Sequence, residues 1–263
     1  MKFKTTPYHY NLLKDEERLS VFYEAIKEFA ASNDCSNLVE FDVGCGSGIL
    51  SYFSKDYFRK ILAIEIDPKV ADYTRENLKD FKNITVINED ATTFDFPEKA
   101  DLIVCEMLDT ALIDEEQVPA LKNAKKYLNE NGKIIPQSIV NVAELVEMPR
   151  ENIHYDDVGS NTQYEILSNP VTYDKINFLD DFKESFNDVL RFKINKDGFK
   201  VNGIKITTFT LLSDNIICGP TPMLNPPLLI PIEPKNVKCN DLINLRIKYD
   251  MGEGIQTINV NYE

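Results

Sequence analysis

The stretch Leu38-Val39-Glu40-Phe41-Asp42-Val43-Gly44-Cys45-Gly46-Ser47-Gly48 decides how the rest of the chain is read. A strand of buried character, 38–43, runs without a break into glycines spaced by single residues, and a helical pattern begins near Ile49. Glycines let the backbone turn sharply and let a ligand approach where a side chain would collide. The helix N-terminus behind such a loop offers free N–H groups. Strand, glycine loop and helix in this order belong to an open α/β sheet, which binds its ligand beyond the carboxyl ends of its strands. The dinucleotide fingerprint of dehydrogenases starts the same way, but it asks for a third glycine or alanine where this chain has Ile49.

Working outward, residues 11–30 place Leu12, Leu19, Phe22, Ile26 and Phe29 at helical spacing, which predicts one amphipathic helix. Strand-like runs follow at 38–43, 61–66, 84–87, 102–105 and 133–135, with helical stretches between them at 68–81 and 111–128. Strand and helix in alternation argue a parallel sheet with helices on both faces. After Pro136 the texture changes. Leu190, Phe192 and Ile194 alternate with Arg191 and Lys193, the run 199–211 reads as further strand, and 243–249 and 258–262 alternate again around a glycine turn. Period two with polar outer residues predicts half-buried antiparallel hairpins. The proline-rich stretch 220–234 reads as a loop or an edge. The fold class expected is therefore α/β, with an α/β cofactor-binding domain at 1–136 and a smaller antiparallel β-rich, barrel-like domain at 137–263 that serves substrate or interaction.

Composition excludes several classes. No run of about 18 apolar residues exists, so no membrane span is expected, and the first residues lack the apolar core of a signal peptide. Cys35, Cys45, Cys105, Cys218 and Cys239 are scattered, odd in number and free of CxxC spacing. They read as reduced thiols of a cytoplasmic protein, with no metal site. A net charge of −14 is the opposite of the basic footprint that nucleic-acid binding usually shows, and repels nucleic acid unless a local basic patch exists. It leans towards a cationic or neutral substrate, or simply keeps the chain soluble.

Four positions carry chemistry. The D-x-G-x-G-x-G loop, with Asp42, Gly44, Cys45 and Gly46, fits a methyltransferase better than a dehydrogenase. Glu65 ends the next strand, 19 residues beyond Gly46, where a carboxylate accepts both hydroxyls of a ribose; Ile66 follows it. Asp90 and Ala91 follow the third strand, where an acid would lie near an adenine amino group. Glu106 ends the fourth strand and Glu115 follows nine residues later, close enough for the loop to bring two carboxylates together. Facing acids repel unless something positive lies between them, which predicts a cationic nitrogen substrate. Such a pair would align that nitrogen and localise its lone pair. The plainer alternative makes Glu115 and Glu116 acids of a helix first turn, facing the helix dipole.

Taken together, the run Leu13-Lys14-Asp15-Glu16-Glu17-Arg18, the glycine loop, Glu65, and Glu106 with Glu115 resemble the protein arginine methyltransferases over residues 9–136, and more loosely beyond. The run Asn131-Gly132-Lys133-Ile134-Ile135-Pro136 is similar to the strand that leads into that family's β-barrel. The resemblance implies a Rossmann-like domain and S-adenosyl-L-methionine as cofactor. It assigns Arg18 to the cofactor's carboxylate, and Asp15 and His9 to the helix that closes over it. Gly44, Gly46 and Glu65 would hold the cofactor, and Glu106 and Glu115, as that family's double-glutamate loop, the substrate. The wording 105–113 is closer still to a small archaeal group described as predicted RNA methylases.

Departures from the family are visible. The arginine enzymes carry a Thr-His-Trp triplet in the barrel; this chain has no tryptophan, and Thr221-Pro222-Met223 stands in that place. Met107-Leu108-Asp109 replaces an aromatic residue and glycine after the first glutamate, and the second half is short for a full dimerisation arm. Three functions follow: N-methylation of a cationic group such as protein arginine, RNA methylation, or a catalytically silent scaffold that binds cofactor. The Asn/Asp-Pro-Pro-aromatic run common in base-amino methylation is absent after the fourth strand, which together with the charge favours the cationic nitrogen over RNA.

Overall fold

The computed structural model describes residues 2–149, 151–157 and 162–263. Helices α1 (Pro7–Lys14) and α2 (Glu16–Ser32) precede β1 (Val39–Val43), α3 (Ile49–Ser54), β2 (Lys60–Glu65), α4 (Pro68–Leu78), β3 (Ile84–Asn88), β4 (Ala100–Cys105), α5 (Gln117–Ala124) and β5 (Leu128–Ile135). These five strands form one parallel sheet in the order β3-β2-β1-β4-β5. The order reverses between β1 and β4, which puts the glycine loop after β1 at the switch point where such sheets take ligands. All five residues of β1 are buried, as a strand covered on both faces must be.

Local chemistry explains the helix starts. Asp67 caps α4 by accepting from the N–H groups of Lys69 and Val70, with proline at the first helical position. The helix expected over 11–30 is instead two helices, broken at Asp15, whose φ and ψ are −78° and 84°. Asp15 leaves the helix because its side chain caps α2, accepting from Arg18 N–H at 3.1 Å. The stretch expected as a helix over 111–128 is also shorter, because most of its first turn is a loop held open by other bonds described below.

The remaining strands are antiparallel. β6 (Ser138–Glu147), β7 (His154–Tyr155), β8 (Glu165–Ile166), β9 (Val171–Asn177), β11 (Lys200–Leu211), β12 (Ile217–Cys218) and β13 (Leu228–Asn236) make one sheet around β11 and β6. β10 (Ser185–Lys193), β14 (Leu242–Asp250) and β15 (Asn259–Tyr262) make a second sheet of three strands. Ile243, Leu245, Ile247 and Tyr249 are buried while their neighbours are not, the alternation read from the sequence. The sheets meet where the Tyr173 ring of β9 packs edge-on against Phe186 of β10 and its hydroxyl lies 3.2 Å from that of Tyr249 of β14. The proline-rich stretch is part loop and part strand. β7 pairs only with Leu228 and Leu229, so Pro231 and Pro234 lie where β13 is an outer edge, the place that tolerates a missing N–H.

One continuous apolar core runs through both halves, from Phe22, Phe41 and Leu102 to Ile139, Phe192 and Leu245. Among the described residues, no helix is long and apolar enough to cross a membrane. Phe41 is fully buried and stacks on Phe96 at 4.3 Å between centroids. Phe41→Ala therefore lowers the unfolding free energy by about 3–5 kcal/mol, measured by urea denaturation followed by circular dichroism.

Candidate active site

The carboxyl ends of β1, β2, β3 and β4 open onto one cavity of about 500 Å³, a volume typical of small-molecule sites. Its wall carries Arg18, Gly44, Cys45, Gly46, Glu65, Ile66, Asp90, Ala91, Glu106 and Glu115. The sequence also pointed to Asp42 as a cofactor residue, and the structure corrects this. Asp42 is buried beneath the loop, where its carboxylate accepts from both the backbone N–H and the hydroxyl of Ser51. It braces the start of α3 behind the glycines and does not reach the cavity wall. Burial pushes its carboxyl up to about 6, against the pull of the Ser51 bonds.

The loop needs glycine at Gly44 for two reasons. Its φ is +71°, and a Cβ there would sit 2.6 Å from the Met107 side chain. Gly46 donates its N–H to Glu65 at 3.0 Å, so two residues 19 apart meet at the cavity edge. The other Glu65 oxygen accepts from Asp67 N–H at 2.9 Å, which fixes the carboxylate in place. One oxygen of Asp90 is engaged by the N–H and hydroxyl of Thr92. His9 rests on Gly46 and bonds through Nδ1 with the hydroxyl of Thr6, which lays α1 across the glycine loop. Burial lowers the His9 pKa.

Arg18 and Glu106 form a buried ion pair. Burial lowers the Arg18 guanidinium to about 10, still cationic at neutral pH. This bears on the argument from paired acids. The positive charge that Glu106 requires is supplied by the protein itself, so only Glu115 calls for an external cation. Glu115 is half-buried, burial raises its carboxyl, and among the described residues its side chain has no hydrogen-bond or ion-pair partner. Asp114 and Glu116 are its acidic neighbours, and elsewhere the cavity wall carries Glu65, Glu89 and Asp90, against the guanidinium of Arg18.

Several residues that shape the site were not legible in the sequence. Gln117 ties the two ends of the loop that carries Glu106 and Glu115: its amide donates to Cys105 carbonyl at 3.0 Å and accepts from Met107 N–H at 2.9 Å. Asp109 accepts from the N–H groups of Ile113, Asp114 and Glu115 and from the Tyr155 hydroxyl. Ala111 N–H donates to Thr208, whose hydroxyl donates to Asn141. Asp15 accepts from the Thr221 hydroxyl and from Met223 N–H, and Met223 lines the cavity. The segment 221–223 thus meets the N-terminal helices through a hydroxyl and a backbone amide. Only helical periodicity and turn composition are visible locally, and these partners lie up to 208 residues apart.

Residues 41–132 match a methyltransferase domain family. Over 98% of its length the chain is 44% identical to an uncharacterized protein of Methanothermobacter thermautotrophicus, again covering 98% of that protein. It is 38% identical to an uncharacterized protein of Methanocaldococcus jannaschii, covering 98% of that one. The chain belongs to one family with these archaeal proteins, and it is an S-adenosylmethionine-dependent methyltransferase. A probable histone-arginine methyltransferase of Arabidopsis thaliana is 33% identical over 48% of this chain and 24% of that protein. Among solved structures, the Trypanosoma brucei PRMT1 enzyme–prozyme complex with AdoHcy superposes with a TM-score of 0.80 at 19% identity, over 98% of this methyltransferase and 96% of that chain. Protein arginine methyltransferase 10 of Arabidopsis thaliana gives 0.78 at 17% identity, over 92% and 88%. The fold is thus a Rossmann-like domain followed by antiparallel, barrel-like sheets. The cavity fits the cofactor: its volume suits a nucleoside-sized ligand, Glu65 presents a fixed carboxylate, and Arg18 Nε is a buried donor with no partner among the described residues.

Asp42 gives a test by pH. Its folded pKa of about 6 lies above the ordinary 3.8, so between these values the native state binds the extra proton. This group's contribution to stability is present below about pH 4 and is lost as pH rises through about 6. Asp42→Asn removes that descending component, so the difference in stability between variant and wild type changes across this window and is flat above about pH 7, as read from urea midpoints in buffered steps.

Proposed function

We propose that this methyltransferase adds methyl to a cationic nitrogen, with a protein arginine-like group as the preferred acceptor, and that Glu106 and Glu115 are its catalytic residues. The observation that carries the reading is Glu115, a half-buried carboxylate with no partner among the described residues, in a cavity dominated by acids. Such a cavity attracts a cation and repels a phosphate backbone. The net charge of −14 acts in the same direction against RNA.

S-Adenosylmethionine, when bound, supplies an electrophilic sulfonium methyl. In this reading Arg18 takes the carboxylate end of the cofactor, Glu65 the ribose hydroxyls, Asp90 and Ala91 the adenine edge, and Gly44, Cys45, Gly46 and Ile66 the surface against which it packs. Asp42 acts indirectly by bracing the loop. Glu115 accepts hydrogen bonds from the acceptor's N–H groups and keeps their positive charge at one end, so that lone-pair density gathers on the nitrogen presented for transfer. Glu106, neutralised on one side by Arg18, sets the second edge of that slot. Residues 1–136 form the cofactor half and 137–263 the half that closes the site and meets the acceptor.

Two variants separate the roles. Glu65→Ala removes charge-assisted hydrogen bonds worth roughly 1.5–3 kcal/mol and weakens S-adenosylhomocysteine binding at least about tenfold in calorimetry. Glu115→Gln keeps the size and removes the charge, so methyl transfer from tritiated S-adenosylmethionine into cell extract falls while S-adenosylhomocysteine affinity holds. Normal transfer by Glu115→Gln, with a slightly lowered melting point, would make the residue a helix-start acid, and nuclease-sensitive label would turn the acceptor to RNA.

A further inference from the structure

The Glu115 carboxylate has no partner of its own among the described residues, yet the backbone that carries it is held from two sides. On one side stands Asp109. Its Oδ2 accepts from Ile113 and Asp114 N–H, both at 3.0 Å, and its Oδ1 accepts from Glu115 N–H at 3.1 Å. On the other side the turn after β14 donates Gly252 N–H to Leu112 carbonyl at 2.9 Å, Gly254 N–H to Ile113 carbonyl at 2.8 Å, and Ile255 N–H to Asp114 Oδ1 at 3.0 Å. The Tyr155 hydroxyl, from β7, lies 3.0 Å from Asp109 Oδ2 and 2.7 Å from Asp114 Oδ2, and so joins the two carboxylates that grip this segment.

The segment does not hold this shape by itself. Ala111 and Leu112 are consecutive left-handed residues, at φ of 61° and 60°, and neither is glycine. A β-carbon makes that conformation unfavourable, so it persists only where the surroundings over-determine it. Asp109 is buried while it does so. A carboxylate that is buried, accepts three successive backbone N–H groups and is fixed by a tyrosine from the other half of the molecule sets where the next side chain emerges.

We infer that Asp109 and Tyr155 are positioning residues for Glu115: Tyr155 fixes the Asp109 carboxylate, and Asp109 fixes the backbone from which the Glu115 carboxylate enters the cavity. This rests on the proposal that Glu115 receives the acceptor nitrogen. It adds a dependence that neither residue would have as a mere stabiliser, because the effect of Tyr155 on transfer must pass through Glu115.

A double-mutant cycle tests that dependence. Tyr155→Phe keeps the ring and removes the hydroxyl. Initial rates of tritiated methyl transfer into cell extract are compared for wild type, Tyr155→Phe, Glu115→Gln and the double variant. Tyr155→Phe is expected to slow transfer roughly tenfold, within what small misplacements of an aligning group cost. The double variant is expected to be no slower than Glu115→Gln alone. S-Adenosylhomocysteine affinity stays unchanged, and amide hydrogen exchange at Ile113, Asp114 and Glu115 accelerates in both Tyr155→Phe and Asp109→Asn. Effects that multiply in the double variant, or wild-type transfer and exchange in Tyr155→Phe, overturn the inference alone. Wild-type transfer by Glu115→Gln overturns the underlying reading as well, so the two failures are distinguishable.

Discussion

The buried ion pair of Arg18 with Glu106 is the contact on which the site depends. A parallel sheet delivers the carboxyl ends of all its strands to one edge, and in this chain three of those ends, of β2, β3 and β4, bring acids to the cavity wall. Uncompensated, such a concentration of like charge in a partly dry space is unfavourable. Arg18 offsets part of it, and it does so from α2, outside the sheet. The same contact carries α2 against the end of β4, and Asp15, three residues before Arg18, fastens the start of that helix to Thr221 and Met223. Losing one member of a buried pair leaves the other charge uncompensated, which is costly. The first helices, the end of β4 and the antiparallel half are therefore held by one connected set of charged and polar groups.

The second constraint is the loop between β4 and α5. It carries both proposed catalytic acids and contains two non-glycine residues in the left-handed region. Its shape is imposed from outside: Gln117 closes its base, Thr208 of β11, itself held by Asn141 of β6, accepts from Ala111 N–H, and Thr110 donates to Pro226 carbonyl at 2.7 Å. The antiparallel half is thus a structural part of the site and not an appendage to it. The continuity of the apolar core through both halves fits this, since a loop under strain is kept only by a rigid frame on each side.

Charge and shape together account for why an acidic protein would keep a cavity more acidic still. Four of the wall acids have protein partners: Glu106 has Arg18, Glu65 has two backbone N–H groups, Asp90 has Thr92, and Asp114 has Tyr155 and Ile255. Glu115 is left to the cavity, with its carboxyl raised by burial and by Asp114 and Glu116 nearby. A group in that state gains most from an incoming cation with donors of its own, and gains nothing from a phosphate.

Local sequence determined a large part of this protein. The period-two and period-3.6 patterns, the glycine loop after β1 and the strand-end positions of Glu65, Asp90 and Glu106 are local properties, and the parallel sheet, the later hairpins and the cavity edge follow from them. Side-chain destinations across long separations are a different matter. Asp42 sits in the loop motif yet turns inward to Ser51, and the helix expected over 11–30 breaks because Asp15 serves partners more than 200 residues away. That Arg18 neutralises Glu106, and that Asp109, Tyr155, Gln117 and Thr208 build the frame around Glu115, was decided only in three dimensions. Periodicity records which face of an element is apolar; a hydrogen bond between remote polar groups leaves no period in the sequence, so only the packed chain shows which donor meets which acceptor.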